Sequence, residues 1–268
     1  MPNWVKNKIM VGRKDIITRL KEKYCFLSKE TNNLEFDFNK VIKMPHDLEI
    51  EFSTKSDKAL VLYMTFIDPE VKYYGKEEDK VSKKDWIKFY NLIKDHMLIN
   101  RNLTANKDEL KEILNSYKDE ENKLLDLGKL QINNILNYNA INWYEWSIDN
   151  WGCKWNASNL KIKEDEKIIL FDTPWAPPIP VMLEVSKQNP DVKIALLYSD
   201  EEIGCHVGYL LMKDGHIDFE GTFDDRSVDA YKLAFDIWEV GNDYVWDDER
   251  NTYIRKEQKW INRNSRVT

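Results

Sequence analysis

The opening segment switches between two hydrophobic periodicities, and this switch constrains the fold more than any other feature. Pro2–Val11 alternates apolar and polar side chains up to Gly12, which predicts a half-buried strand. Asp15–Phe26 repeats apolar residues at helical spacing, which predicts an amphipathic helix. Leu34–Asn39 alternates again around Leu34, Phe36 and Phe38, which predicts a second strand. The chain is therefore expected to begin β-α-β.

A second β-α-β pattern follows a long helical stretch. Residues 80–138 contain almost no Gly or Pro, and their apolar side chains recur every three or four positions, which predicts a helical insertion with breaks near residues 100–106 and at Gly128. Downstream, the patterns predict a helix ending at Gly152, a strand at 167–171, a helix at 177–188, a strand at 192–198, a hairpin of 204–212 with 216–219, and a helix at 228–240.

This order predicts an α+β fold, a ferredoxin-like antiparallel sheet made of split βαβ halves. The expected ferredoxin-like domain is discontinuous, over residues 1–79 and 139–222. Residues 80–138 form the helical insertion, and residues 223–268 form a C-terminal extension.

Composition narrows the range of partners. The 268 residues carry a formal charge of −7, which disfavours direct binding to a phosphate backbone. No apolar run approaches the roughly 20 residues that cross a bilayer, so no membrane partner is expected. The start of the chain lacks the apolar core of a signal peptide, and three isolated cysteines support neither a disulfide framework nor a zinc site. We therefore expect a cytoplasmic protein without a metal or other cofactor.

Half of the ten tryptophans lie between residues 143 and 175, among Asn, Asp and Lys side chains. One interpretation is structural: the indoles fill a core, and the polar residues cap helices and turns. The other is a ligand or partner site, in which aromatic faces stack on a base or sugar and polar groups orient it. The candidate binding residues are Trp143, Trp146, Trp151, Lys154, Trp155, Asn156, Asp172 and Trp175.

Several of these residues stand in motifs that resemble a known family. The motifs are Met1-Pro2-Asn3-Trp4, the strand Glu35–Asn39 followed by Met44-Pro45, the run from Trp143 to Asn156, and Phe171-Asp172-Thr173-x-Trp175-x-Pro177-Pro178. Their order is similar to that of the YubB ferredoxin-like domain family, also met as Api92-like proteins, over roughly residues 1–50 and 140–220. The resemblance implies the ferredoxin-like fold and a setting on plasmids or phages. It implies no catalytic residues.

The chain contains no Walker loop, GxSxG, HExxH or GxGxxG sequence, and we expect no catalytic residues. We expect instead a non-enzymatic accessory protein of a phage, plasmid or integrated element that binds a host protein. A nucleic-acid-processing defence protein, such as a CRISPR or restriction nuclease, is the expected target, and counter-defence the expected role. The insertion at 80–138 would carry partner specificity.

The alternative hypothesis is a small-molecule or nucleotide site, or an enzyme, centred on Trp155, Asp172 and Trp175.

Overall fold

The structure is a computed structural model that describes residues 2–29, 31–51, 53, 55–56, 59–60, 63 and 121–256. The chain divides into two compact units. Residues 1–43 and 147–268 form the first unit, and residues 44–146 form the second. Most of the predicted insertion, and the end of the predicted C-terminal extension, lie outside the described residues.

The described elements are ten strands and five α-helices, besides short 3-10 turns. The strands are β1 Trp4–Val11, β2 Cys25–Leu27, β3 Leu34–Phe36, β4 Ser158–Lys163, β5 Ile168–Pro174, β6 Lys193–Asp200, β7 Gly208–Lys213, β8 His216–Thr222, β9 Tyr244–Asp247 and β10 Thr252–Arg255. The helices are α1 Lys14–Tyr24, α2 Glu121–Tyr138, α3 Trp143–Trp151, α4 Ile179–Lys187 and α5 Val228–Trp238.

The first unit contains a six-stranded antiparallel sheet in the order β4-β5-β1-β6-β7-β8. Strand β1 lies between β5 and β6 and is antiparallel to both, so α4 connects two strands that β1 separates. Strand β4 pairs antiparallel with β5 and so runs in the direction of β1. This arrangement of β1-α1-β4 and β5-α4-β6 is the predicted pair of split βαβ halves, and the predicted α+β class is confirmed. The β7-β8 hairpin extends the sheet beyond β6.

The prediction for the second strand of the first half was wrong. Leu34–Phe36 pairs only with Cys25–Leu27, in a separate two-stranded sheet, and Phe38–Lys40 forms a 3-10 turn. Ser158–Lys163 takes the predicted place in the main sheet. Its outer position leaves it half-buried, so it lacks the clear alternation that marks a strand in sequence.

Helices cover both faces of the main sheet. Ile9 of β1 and Ile169 of β5 meet Leu20 of α1 and Val185 of α4 around one small void. Because neighbouring residues of a strand point to opposite faces, Lys6 and Lys8 lie on the other side. There, Lys8 Nζ lies 2.7 Å from an Asp236 carboxylate oxygen of α5. Helix α5, which we predicted within an extension, therefore packs on the sheet.

The described part of the second unit is organised around α2, which continues through Gly128 without the predicted break. A Cβ at Gly128 would lie 2.3 Å from the Ala59 carbonyl oxygen, so glycine permits this close backbone approach. Asn134, which is buried, donates hydrogen bonds to the carbonyl oxygens of Asp47 and Ile141 at 2.8 and 3.2 Å. None of the described helices is long and apolar enough to cross a membrane.

Candidate functional site

Three of the candidate tryptophans are at least partly buried. Trp151, at the end of α3, packs edge-on against Phe38 with the ring centroids 5.8 Å apart, and its Nε1 donates to the Ile42 carbonyl oxygen at 2.9 Å. In the second unit, Trp146 is buried and Trp143 is half-buried with its ring against Tyr144. Burial of Trp146 and Trp151 in the core removes their faces from any ligand in this conformation.

The segment after Gly152 combines a structural asparagine with an exposed aromatic pair. Asn156 Oδ1 accepts from the backbone N–H of Phe38 at 2.8 Å, and its Nδ2 donates to Asp37 at 3.2 Å. These bonds hold the turn after β3. Trp155 is 40% exposed, and Lys154 Nζ lies 4.7 Å from the centre of its ring. Of these three residues, Lys154 and Trp155 are therefore the pair that a ligand could contact.

The buried Asp172 carboxylate is bonded to a half-buried lysine and an exposed asparagine. It lies 2.9 Å from Lys6 Nζ and accepts from Asn159 Nδ2 at 2.8 Å. Lys6 Nζ also lies 4.5 Å from the centre of the Trp238 ring. Sequence reasoning missed Lys6 and Trp238. For Lys6, the only sequence signal was its position between Val5 and Asn7 in a predicted strand. That signal was weak, because a lysine in an alternating strand more often faces solvent.

Within the first unit, the structure does not bring the candidate residues together as one cluster. The ionic and hydrogen-bonding contacts of the Asp172 side chain involve no candidate tryptophan among the described residues. Trp175 follows β5 at a positive φ of 71°, with 55% of its surface exposed, and its backbone N–H donates to the Asn3 carbonyl oxygen. Trp155 and Trp175 therefore remain as exposed aromatic residues, separate from the core role of Trp151.

Two of the described thiols are unsuited to act as nucleophiles. Burial raises the pKa of the Cys25 thiol to about 11 and that of Cys153 to about 12, so both thiols stay protonated near neutral pH. His216 Nδ1 lies 2.8 Å from the Asp214 carbonyl oxygen, and the His206 ring packs on Tyr198. Within the described residues, no group of three or more His, Cys, Asp or Glu side chains is placed to hold a metal ion.

The outer strand of the main sheet is exposed along most of its length. Strand β8 ends the strand order, and six of its seven residues are exposed. Phe219 is 67% exposed and lies opposite Leu211 of β7. Tyr209 is 39% exposed on the same face, lying opposite Gly221. We use the name open edge for the unpaired backbone edge of β8 together with the adjacent side chains of Tyr209, Leu211 and Phe219.

The opposite edge of the sheet is formed differently. Strand β4 is half-buried along most of its length, carries Lys161 and Lys163, and has a register shift between Ser158 and Lys161. Lysines and bulges are features that prevent further strand pairing. The open edge at β8 has a bulge at Asp218 but retains exposed apolar side chains.

The sequence segment that contains β7 and β8 is more acidic than the rest of the chain. Residues 200–255 contain fifteen Asp and Glu against five Lys and Arg, a formal charge of −10, whereas the whole chain carries −7. The remaining residues therefore sum to +3. The open edge lies in the acidic segment, which attracts positively charged partners.

Residues 150–254 match the family model described as the ferredoxin-like domain in Api92-like protein. The predicted resemblance is confirmed over these residues, which include β4 to β9, α4, α5 and most of β10. A crystal structure of a protein api92 from Yersinia pseudotuberculosis is 14% identical in sequence, with 84% of this chain and 99% of that chain covered and a TM-score of 0.34. No curated protein matches the sequence.

Proposed function

We propose that this chain is a non-enzymatic, cytoplasmic accessory protein of a phage, plasmid or integrated element that acts by binding a host protein. The open edge of the sheet is the proposed contact, and an extended, basic segment of the host protein is the proposed ligand. The observation that carries the proposal is the exposure of β8 with Phe219, in a segment of the chain whose formal charge is −10.

Backbone geometry supports an extended ligand. The outer side of an edge strand presents N–H and C=O groups that can pair with one more strand. Phe219 and Tyr209 would supply the apolar contact, since exposed aromatic residues often dominate binding energy. Such a partner strand would extend the order β6-β7-β8 by one position.

Charge supports a basic partner over a second copy of this chain. If two copies paired antiparallel about Phe219, Asp218 of one copy would oppose Glu220 of the other at both ends of the pair. Like charges opposite each other destabilise strand pairing. Lys or Arg at these positions of a partner strand would instead be attracted. A nucleic-acid-processing host protein is the proposed source, because such proteins carry basic surfaces.

The test is affinity capture from lysate of the host after nuclease treatment, with wild type and two matched variants. Phe219→Lys removes the exposed ring and adds a positive charge, and we expect it to weaken binding of the captured protein by at least about 30-fold. Leu27→Lys makes a similar change at another exposed apolar residue, on β2, and should leave affinity unchanged.

Two results would contradict the proposal. If folded wild-type protein retains no host protein, the proposed function is wrong. If Phe219→Lys and Leu27→Lys bind the captured protein as wild type does, the assignment of the contact to the open edge is wrong.

A second candidate is a nucleotide or sugar site at Trp155 and Trp175. The observation that favours it is the exposure of both rings, with Lys154 beside Trp155 where it could meet a phosphate. Titration of nucleotides and sugars against tryptophan fluorescence tests it, with Trp155→Leu and Trp175→Leu as variants. Quenching that disappears in these variants would support the site, and a flat titration would count against it.

A further inference from the structure

A cavity of about 360 Å³ opens beside α5, away from the residues proposed to pair with a partner strand. Its walls come from the turn after β6, from α5 and from the β9-β10 hairpin. The lining residues are Glu201, Glu202, Ile203, Arg226, Tyr231, Tyr244, Thr252, Tyr253, Ile254 and Arg255. The volume lies within the range of small-ligand sites, at the lower end. We call this space the tyrosine cavity.

Three tyrosine rings form an aromatic wall of the tyrosine cavity. The Tyr231 centroid lies 5.3 Å from that of Tyr253 and 6.4 Å from that of Tyr244. Tyr231 is 6% exposed, and Phe235 packs against all three rings. Ring faces carry partial negative charge and attract cations, and aromatic cages of this kind bind quaternary and methylated ammonium groups.

The charges at the rim leave one carboxylate available. Glu202 is paired with Arg226, so these two charges compensate each other. The Glu201 carboxylate makes no hydrogen bond or ion pair within the described part of the chain. Its position in a segment of charge −10 favours a positively charged ligand over an anion.

The cavity already holds one guanidinium against a tyrosine. Arg255 Nε donates to the Tyr244 hydroxyl at 3.2 Å, and its guanidinium carbon lies 5.8 Å from the centre of that ring. Arg255 adds a positive charge to the rim, but Asp243, Asp247, Asp248 and Glu249 lie in the same stretch of chain. The lining itself carries two carboxylates and two guanidinium groups, and the Arg255 contact shows that a tyrosine of this cavity accepts a guanidinium.

We propose that the tyrosine cavity binds the guanidinium group of an arginine side chain, with Glu201 as its carboxylate partner and the half-buried Tyr253 as its aromatic face, against which the buried Tyr231 is packed. A guanidinium is preferred over an ammonium because it is planar, stacks on aromatic rings and forms two parallel hydrogen bonds to one carboxylate. The inference rests on the proposed function for the source of this arginine, which is the basic host protein. The chemistry of the cavity does not depend on that source.

The first experiment titrates the full chain with Nα-acetyl-arginine amide at low ionic strength and follows the ring signals of labelled tyrosine by NMR. The neutral isostere Nα-acetyl-citrulline amide and Nα-acetyl-lysine amide are the comparison probes. We expect the arginine probe to shift the Tyr253 signals with millimolar affinity, and the citrulline probe to bind at least about tenfold more weakly.

Two variants separate a specific carboxylate from general acidity. Glu201→Gln should weaken the arginine probe about tenfold, because it removes the charged hydrogen-bond acceptor. Asp248→Asn removes the same charge from an exposed position outside the cavity lining and should leave affinity within about twofold. Equal binding of arginine and citrulline probes, or an unchanged affinity in Glu201→Gln, would overturn the inference.

The second experiment identifies the source of the guanidinium. We expect Glu201→Gln to weaken the captured host protein about tenfold, as it weakens the probe. If the probe responds to Glu201→Gln but the host protein does not, the assignment to a partner arginine is wrong and the site is one for free guanidinium compounds. If the probe never binds while capture through Phe219 persists, the cavity inference fails and the proposed function stands.

Discussion

Trp151 and Trp155 lie four positions apart in the chain but in opposite environments. Trp151 is 5% exposed, with its ring against Phe38 and its N–H bonded to the Ile42 carbonyl oxygen. Trp155 is exposed beside Lys154. The turn at Gly152 lies between the two tryptophans. Glycine suits this position because φ is 81° and because a Cβ would approach Pro180 and the Pro177 carbonyl oxygen.

The same substitution at both tryptophans should therefore have different effects. Trp151→Phe removes a buried hydrogen-bond donor and part of the packed ring, and we expect it to lower the free energy of unfolding by about 1–3 kcal/mol. Trp155→Phe should change it by no more than about 0.5 kcal/mol. Urea unfolding followed by circular dichroism measures both. Equal effects would contradict the division into core and surface residues.

The buried thiol of Cys153 should make stability depend on alkaline pH. Burial raises its pKa from 9.0 to about 12, so above pH 9 the unfolded chain loses this proton while the folded chain keeps it. The unfolded state then binds fewer protons, and the free energy of unfolding falls as pH rises from 9 towards 12, by at most about 1.4 kcal/mol per pH unit for this group.

Comparison of variants isolates that contribution from other groups that titrate at high pH. Urea unfolding at pH 8 and pH 10.5, under reducing conditions, should show a shallower pH dependence for Cys153→Ala than for wild type. Cys205→Ala, at a half-buried position, should change the dependence less. An identical dependence in wild type and Cys153→Ala would show that this thiol is not the cause.

At the scale of elements, α5 depends on its first turn. Ser227 precedes the helix with extended backbone angles, and its side-chain oxygen accepts from the Ala230 N–H at 3.2 Å. Ser227→Ala should lower the free energy of unfolding by about 1 kcal/mol, and Ser227→Asp should restore it through the same bond. Thermal unfolding of the three proteins measures this. If Ser227→Asp is as unstable as Ser227→Ala, the cap is not the reason.

Helix α5 also connects the fold to the proposed sites. Its buried Ala230 and Ala234 pack with Val207, which precedes β7, and its Tyr231 forms part of the tyrosine cavity. Asp236 on the opposite end pairs with Lys8 of β1. Ser227→Ala should therefore weaken binding of the arginine probe only in proportion to the fraction of protein in which the helix is unfolded. Glu201→Gln should weaken binding in the folded protein.

At the scale of the whole molecule, the division into two compact units allows the contribution of each unit to binding to be tested separately. Every strand of the main sheet, together with α1, α4 and α5, lies in residues 1–43 and 147–268. Replacement of residues 44–146 by a flexible linker should leave this unit folded. If the open edge carries the interaction, the shortened protein should bind the captured host protein within about threefold of wild type.

This deletion also decides the expectation that residues 80–138 carry partner specificity. Retention of the β-sheet signal in circular dichroism with complete loss of binding would favour the insertion over the open edge. Loss of both would show that residues 44–146 are needed for folding, and the Phe219→Lys variant would then be the deciding test.

The order of elements followed from local patterns. The alternation in β1, the helical spacing in α1 and α5 and the Lys213-Asp214-Gly215 turn each reflect interactions within a few residues, so a single sequence reveals them. Strands β9 and β10 were not predicted, because their burial comes from packing on α5 and leaves no clean alternation.

By itself the sequence determined the fold class, the second split half, the acidic charge and the candidate residues, since periodicity and composition are local properties. Only the tertiary structure decided that Ser158–Lys163 joins the main sheet in place of Leu34–Phe36, because strand pairing depends on burial between segments far apart in the chain. It also placed Lys6 against both Asp172 and the Trp238 ring, exposed Phe219, and assembled the tyrosine cavity from residues 201 to 255. These contacts join segments that are far apart in sequence, so no local pattern records them.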